Sequence, residues 1–177
     1  MDRDYLTLEE LEAALVEAAA SPRDGGRVEM LVVRPGPDER VVKEAVRLTP
    51  EGGVEGDRWA GTEGAEPGAQ VSLMNARLLR LLAGDEGRMA LAGDNLVVDL
   101  DLGAENLPVG QRLRAGGAVL EITDLPHTGC GKFAERFGRE AVRFINAAER
   151  RELHLRGCYA RVVEAGTVRV GDQVKKM

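Results

Sequence analysis

The chain has 177 residues, 44% of them hydrophobic but only 3% aromatic, which suits one globular domain whose core is built from aliphatic side chains and Ala. Charged residues make up 31% and the net charge is −6, so bulk electrostatics exclude a general nucleic-acid binder. The two cysteines, Cys130 and Cys158, do not make a disulfide framework. The polar start with Asp2, Arg3, Asp4, Glu9, Glu10 and Glu12 lacks a signal-peptide pattern, and no apolar run is long enough to span a bilayer. A soluble, cytoplasmic protein without membrane contact is expected.

Thr7-Leu8-Glu9-Glu10 matches a capping box and opens a helix with Leu8, Leu11, Leu15 and Ala18 or Ala19 on one face, ending near Ser21-Pro22. Residues 1–26 therefore read as an N-terminal helical extension, followed by a second unit over 27–177. From Arg27, Val28, Met30 and Val32 alternate with Glu29, Leu31 and Val33 as a strand. The turn Arg34-Pro35-Gly36-Pro37-Asp38 leads to a second strand, Val41 to Leu48. Thr49 to Gly68 is rich in Gly, Pro and Glu and reads as a long loop carrying the single tryptophan, Trp59. After the short apolar Val71-Ser72-Leu73, Asn75 caps a helix with Leu78, Leu79, Leu81 and Leu82 toward the core. Gly93-Asp94-Asn95-Leu96 is a turn before a strand over Val97–Leu100, and Arg112 to Ile122 forms two strands around Gly116-Gly117. Phe133 to Ala148 reads as one helix with Phe133, Phe137, Ala141, Phe144 and Ala148 on a face. Strands at Cys158–Val163, Thr167–Val170 and Gln173–Lys175 close the chain. Pro108 to Leu113 faintly echoes Arg169 to Val174, as if one turn led into two strands. Many short strands with Gly-rich turns predict a mostly β, α+β fold: a β-barrel with flanking helices.

The segment Pro126-His127-Thr128-Gly129-Cys130-Gly131-Lys132-Phe133 carries the clearest chemical signal. Two glycines remove bulk around one thiol, and a histidine and a lysine flank it; such surroundings favour approach by a ligand and favour the thiolate. From His127 to Gly157 there are one Lys and six Arg against four Glu, a local excess of +3 that leaves −9 for the rest. A basic segment in an acidic protein suits a small anionic ligand.

Five stretches, in order, resemble the MOSC domain, named for the C-terminal domain of molybdenum cofactor sulfurases. They are Gly56-Asp57-Arg58-Trp59, Gln70-Val71-Ser72-Leu73-Met74-Asn75, Gly93-Asp94-Asn95-Leu96, Gly129-Cys130-Gly131-Lys132-Phe133, and Arg156-Gly157-Cys158 through Gly171-Asp172. The family's Pro-Cys is Gly129-Cys130 here, and Asp94 replaces the Glu of Gly-Glu-Asn-Leu. The resemblance implies a β-barrel that binds the molybdenum cofactor (molybdopterin), with Cys130 as metal ligand, and reduction of N-oxygenated compounds in some members. Reduction would draw electrons from an external electron-transfer protein.

On this reading Cys130 and His127 are the catalytic candidates. His127 activates the thiol, binds a phosphate, contacts a substrate or simply holds a turn. Asp57, Arg58, Trp59, Asn95, Lys132 and Arg156 are the cofactor-binding candidates, and Arg136 is a further possible anion contact. Arg forks match phosphate and pterin oxygens, Trp59 stacks on a flat ring or anchors its loop, and Asn95 with Asp94 contacts a pterin or holds a turn. Cys158 shares a strand face with Ala160 and Val162 and reads as core. Two alternatives stand: a carrier of the cofactor, or of sulfur as a Cys130 persulfide passed to a sulfur-transfer partner, and a structural or zinc-stabilised domain without cofactor, the zinc held by His127, Cys130, His154 and Cys158.

Overall fold

The computed structural model describes residues 5–177. The first four residues, with the Asp2, Arg3 and Asp4 of the polar start and the beginning of the 1–26 extension, lie outside the described residues.

The first helix, α1 (Leu8–Ala19), opens on the capping box: Thr7 Oγ1 accepts from the Glu10 amide at 3.3 Å and Glu10 Oε2 accepts from the Thr7 amide at 2.7 Å. It buries Leu11, Ala14 and Ala18, while Leu8 and Val16 face outward. The strands are β1 (Gly26–Val33), β2 (Val41–Lys43), β3 (Ala45–Thr49), β4 (Gly53–Val54), β5 (Val71–Asn75), β6 (Leu96–Asp99), β7 (Arg112–Ala115), β8 (Ala118–Ile122), β9 (Cys158–Glu164), β10 (Gly166–Arg169) and β11 (Gln173–Lys176). Between them lie α2 (Ala76–Ala83), α3 (Glu86–Met89), α4 (Gly131–Phe137) and α5 (Arg139–Ile145).

Eight strands pair in the order β11-β7-β8-β9-β5-β6-β1-β2, and β11 also pairs with β1. That last pairing closes the sheet into a barrel and leaves β2 outside it, as an extension along β1. Only β5 and β6 run parallel, joined through α2 and α3; the remaining pairs are antiparallel. A smaller sheet, β10-β3-β4, packs beside the barrel. The architecture is the expected α+β barrel with flanking helices.

The barrel interior is aliphatic, with Leu31, Leu48, Leu73, Leu96, Leu113 and Leu120 all fully buried. A second core lies between the barrel wall and the helices and takes all three phenylalanines. Burying each such side chain contributes roughly 1.5–3 kcal/mol, so the helix layer is anchored by aliphatic side chains such as Leu11, Leu78, Leu79 and Met89 together with the three phenylalanines.

Several local expectations are corrected by packing; Leu8, Leu81 and Ala148, expected on core faces, are exposed. A bulge between Val28 and Met30 shifts the β1 pattern, so Val28, Leu31 and Val33 face the barrel interior while Met30 packs against the helices. The expected strand Val41–Leu48 divides at Glu44 into β2 and β3, which join different sheets. The loop 49–68 contains β4 and two 3₁₀ turns, Arg58–Gly61 and Pro67–Ala69. The expected helix 133–148 breaks at Gly138, whose φ is +96° and where the Tyr5 ring lies 2.8 Å from the position a Cβ would take. The faint echo is one turn used twice: Gly110 and Gly171 both have positive φ, +88° and +91°, just before β7 and β11.

Gly157 opens β9 with φ +101°, and a Cβ there would lie 2.0 Å from the Leu73 carbonyl oxygen. Gly157→Ala combines a forbidden backbone region with a clash against β5 that no side chain can relieve. It should cost at least ~2 kcal/mol in urea unfolding.

Candidate functional site

Past β8 the chain runs across one end of the barrel from Thr123 to Cys130 before entering α4. Asn146 clamps this segment, accepting from the Gly129 amide at 2.8 Å and donating to the Gly129 carbonyl at 2.9 Å. Gly129 sits close to Ile145, whereas Gly131 has open space where a Cβ would project. The thiol of Cys130 is therefore exposed and approachable. No side-chain capping bond is made to α4, yet the Phe133 amide lowers the thiol pKa most, partial burial opposes it, and the Lys132 amide and the Arg156 charge lower it further. The net result is a thiol held below the ordinary range, the condition for a nucleophile or a soft-metal ligand.

Behind the thiol lies a buried charged group. Arg156 Nη1 donates to Asp94 Oδ2 at 2.7 Å and Arg156 Nη2 to the Ala92 carbonyl at 3.1 Å. The Arg156 guanidinium lies 4.7 Å from the centre of the Phe133 ring. His127 stacks on Tyr159 at 4.3 Å between ring centres, and its Nε2 is 3.7 Å from Asp94 Oδ1, beyond hydrogen-bond reach. Burial first, then the Arg156 charge, outweigh Asp94 and push the His127 pKa down to about 3. His127 is thus neutral at physiological pH. Asp94 Oδ1 and His127 Nδ1 are both buried without a partner. The Tyr159 phenol is raised by burial and also feels Asp94, Arg156, Arg34 and Cys130, which places those groups in one neighbourhood.

The adjoining face is a set of guanidinium groups. Asp57 is buried and accepts from the Arg34 amide, Nε and Nη2 at 2.9, 3.0 and 3.1 Å, from the Trp59 amide, and from Asn95 Nδ2. Burial pushes Asp57 up, but the Arg34 bonds and charge and the Trp59 amide prevail and hold it below the usual carboxylate range. Arg40 lies against Gly93, where a Cβ would come within 2.7 Å of its Nε, and that Nε is buried without a partner. Its pKa is lowered by burial first and then by Arg136, Arg34 and Arg58, with only Asp38 opposing. An arginine depressed by three others marks a concentration of positive charge suited to an anion. Asp38, in left-handed backbone with φ +60°, accepts from Lys132 Nζ at 2.6 Å and Arg136 Nη2 at 3.3 Å.

The residues expected from sequence separate into two groups. Cys130, His127 and Arg156 converge on one spot; Arg58 and Lys132 lie exposed on the basic face. Asp57 and Asn95 do not present free groups to a ligand: Asn95 donates to Asp57 and the Val32 carbonyl and accepts from the Ser72 amide and hydroxyl, so both residues brace the site from beneath. Trp59 anchors its loop, with Nε1 donating to the Glu66 carbonyl at 3.0 Å. Arg156 is tied to Asp94, and Lys132 acts on the thiol through its amide while its ammonium goes to Asp38. Arg34, Arg40 and Tyr159 escaped the sequence reading. A charged residue directly after a valine-rich strand and before Pro35-Gly36-Pro37 was the available signal for Arg34.

The zinc alternative is overturned. Cys158 faces the barrel interior with its thiol pushed up by burial to about 12, and His154 Nδ1 is bonded to the Leu102 carbonyl at 2.9 Å. Among the described residues no three His, Cys, Asp or Glu side chains gather to hold a metal, and no helix is long and apolar enough to cross a membrane.

The sequence profile of the MOSC domain matches residues 54–175. No curated protein matches the chain. Among solved structures, the YuaD protein from Bacillus subtilis is similar at 19% identity and TM-score 0.58, over 86% of this chain and 95% of that one. YiiM from Escherichia coli is similar at 20% identity and TM-score 0.55, over 85% and 69%. YiiM from Geobacillus stearothermophilus is similar at 14% identity and TM-score 0.54, over 89% and 74%. These likenesses show the fold.

Two outcomes follow from the electrostatics. In the native protein at neutral pH, iodoacetamide should alkylate Cys130 faster than an ordinary exposed thiol and leave Cys158 unmodified, as read by peptide mass spectrometry. Because the folded state keeps His127 neutral down to about pH 3, the unfolded chain takes up the extra proton below its ordinary value of 6.5. His127 therefore makes stability fall as pH drops from 6.5 toward 3. Urea midpoints at pH 7 and pH 5 should differ less in His127→Phe, which retains a ring against Tyr159.

Proposed function

The chain belongs to the MOSC domain family, and we propose on that footing that it binds the molybdenum-pterin cofactor, with Cys130 as the sulfur ligand and the basic face as the anchor for the cofactor's phosphate. The observation that carries this reading is the juxtaposition of one exposed, acidified thiol with a set of mutually repelling arginines. The donor chemistry fits the group. A thiolate is a soft, charge-donating ligand suited to molybdenum. Arg40 and Arg58 offer guanidinium donors to phosphate oxygens, Arg34 adds positive charge while Asp57 holds its Nε and Nη2, and the unpartnered Arg40 Nε and Asp94 Oδ1 are buried polar atoms that gain from a ligand with both acceptors and N–H donors.

When bound, the cofactor supplies two-electron redox chemistry. The protein's own groups perform the remaining tasks. The Phe133 and Lys132 amides and Arg156 hold Cys130 toward the thiolate. Asp94 neutralises Arg156, so the charge beneath the sulfur is fixed in place. His127 stays uncharged, carrying a proton on one ring nitrogen and a lone pair on the other, and so positions a neighbour by hydrogen bonding without adding a cation. Lys132 and Arg136 share Asp38 as a counter-ion that an incoming phosphate can replace. The activity this supports is reduction of an N-oxygenated compound: an N–OH bond is cleaved to N–H and water, consuming two protons and two electrons from an external electron-transfer protein.

A carrier reading rests on the same exposed thiol, which is equally open to holding a sulfur atom as a persulfide for a partner. Protein produced in a cofactor-making host distinguishes these readings. Molybdenum at about one per chain that vanishes in Cys130→Ser, with reductase activity from an artificial donor, supports the enzyme. Extra sulfur on Cys130 without metal, seen by intact-mass spectrometry, supports the carrier. Arg58→Ala should weaken cofactor retention by about three- to tenfold, because it removes one exposed charged contact.

A further inference from the structure

The C-terminal half of α1 does not close fully against the segments beneath it. A cavity of about 140 Å³ remains, bounded by α1, the start of α2, residues 101–102 after β6 and residues 153–155 at the end of the 3₁₀ helix Ala148–Leu153. Its walls include neither the thiol nor any arginine.

The walls are mostly apolar. Leu15 and Ala18 come from α1, Leu78 from α2, Leu102 from the chain after β6, and Leu153 and Leu155 from either side of His154. Leu78, Leu102 and Leu155 are buried, while Leu153 is exposed. An apolar cavity of about 150 Å³ engineered into another protein holds one benzene molecule, so this volume admits a single six-membered ring and little more.

The polar side chains select the substituent on that ring. Asn75 has nothing to spare: its Nδ2 donates to Ser21 Oγ and the Leu100 carbonyl at 2.8 and 3.0 Å, and its Oδ1 accepts from the Leu78 amide at 2.9 Å. His154 and Asp101 are left with acceptors. A carbonyl oxygen only accepts, so the 2.9 Å contact with the Leu102 carbonyl puts the proton of a singly protonated ring on His154 Nδ1 and leaves the lone pair on Nε2. Asp101 Oδ1 accepts from the Gly103 amide at 2.9 Å, and its second oxygen has no bond among the described residues. The last turn of α1 carries no basic side chain, so the negative end of its dipole borders the same cavity without a cation to offset it. The side-chain groups free to bond are thus acceptors, and the local field is negative.

We propose that this cavity binds a single-ring organic amine, with the ring among the leucines and the N–H donors directed to His154 and Asp101, and with carboxylates rejected. The assignment is independent of the function proposed above, because it uses neither Cys130 nor the basic face.

Three probes of one shape test this on the full ¹⁵N-labelled chain: benzylamine, benzyl alcohol and benzoate. Benzylamine should shift the amides of Ala19, Leu78, Leu102 and Leu155 saturably, benzyl alcohol should do so more weakly, and benzoate should bind at least about fivefold more weakly than benzylamine. Asp101→Asn, which keeps an oxygen for the Gly103 amide, should bring benzylamine down to the level of benzyl alcohol. Ala19→Trp, at an exposed position of α1, should cover the cavity and abolish the response, with the rest of the amide spectrum certifying a folded chain. If that variant does not fold, the charge comparisons decide the matter. Benzoate binding as tightly as benzylamine overturns the proposal. So does an undiminished response in folded Ala19→Trp, a response confined to residues 123–128, or none at tens of millimolar, about the weakest affinity a fitting ligand of this size shows.

Discussion

Two adjacent buried side chains, Asp94 and Asn95, hold the functional end of the barrel together by facing in different directions. Asp94 reaches Arg156 and borders His127; Asn95 reaches Ser72 on β5, the Val32 carbonyl on β1 and Asp57 in the loop after β4. Gly93 permits this turn with φ +79°, and Arg40 lies where a side chain at that position would go. A buried charge pair is weak support for stability in itself. Removal of one partner, however, strands the other at a cost of roughly 3–5 kcal/mol. The dipeptide therefore acts as a mutual constraint: it holds Arg156 beneath the thiol and Asp57 beneath the arginines, and each requires the other elements to be in place.

This arrangement separates charge from neutrality across a short distance. The site has no charged histidine near the thiol, because desolvation and Arg156 together outweigh the attraction of Asp94. Positive charge is delivered instead by arginines, which keep their protons even when crowded. The crowding is partly relieved from within by Asp57, fully buried under Arg34, and by Asp38, exposed beside Lys132 and Arg136. Asp57 is integral to the scaffold, whereas Asp38 is a surface counter-ion on the loop directly after Pro35-Gly36-Pro37. Only the second is placed to give way to a ligand without dismantling the barrel.

The fold was legible from local signals wherever a side chain and its backbone role coincide. The capping box at Thr7, the Asn75 cap and the Gly116-Gly117 turn each name a structure in a few residues, and each is formed. The failures share one cause. The β1 bulge, the division of residues 41–48 and the break at Gly138 depend on which sheet or ring stands opposite, and a pattern read along the chain does not carry that information. Gly138 was a visible stop signal, but the aromatic face on both sides of it outweighed it in the reading.

The site divides in the same way. The sequence alone determined the barrel class, the open thiol between two glycines and the family to which its motifs belong, because these rest on residue type and spacing. Only the tertiary structure decided which charges are free. Asp57 and Asn95 stand in motifs that look ligand-binding, yet burial obliges them to satisfy one another. Arg34 and Arg40 look like turn residues, yet folding brings them together at the basic face. The reason is that a polar group's chemistry is set by its partners and its dielectric surroundings, and those come from segments far apart in the chain.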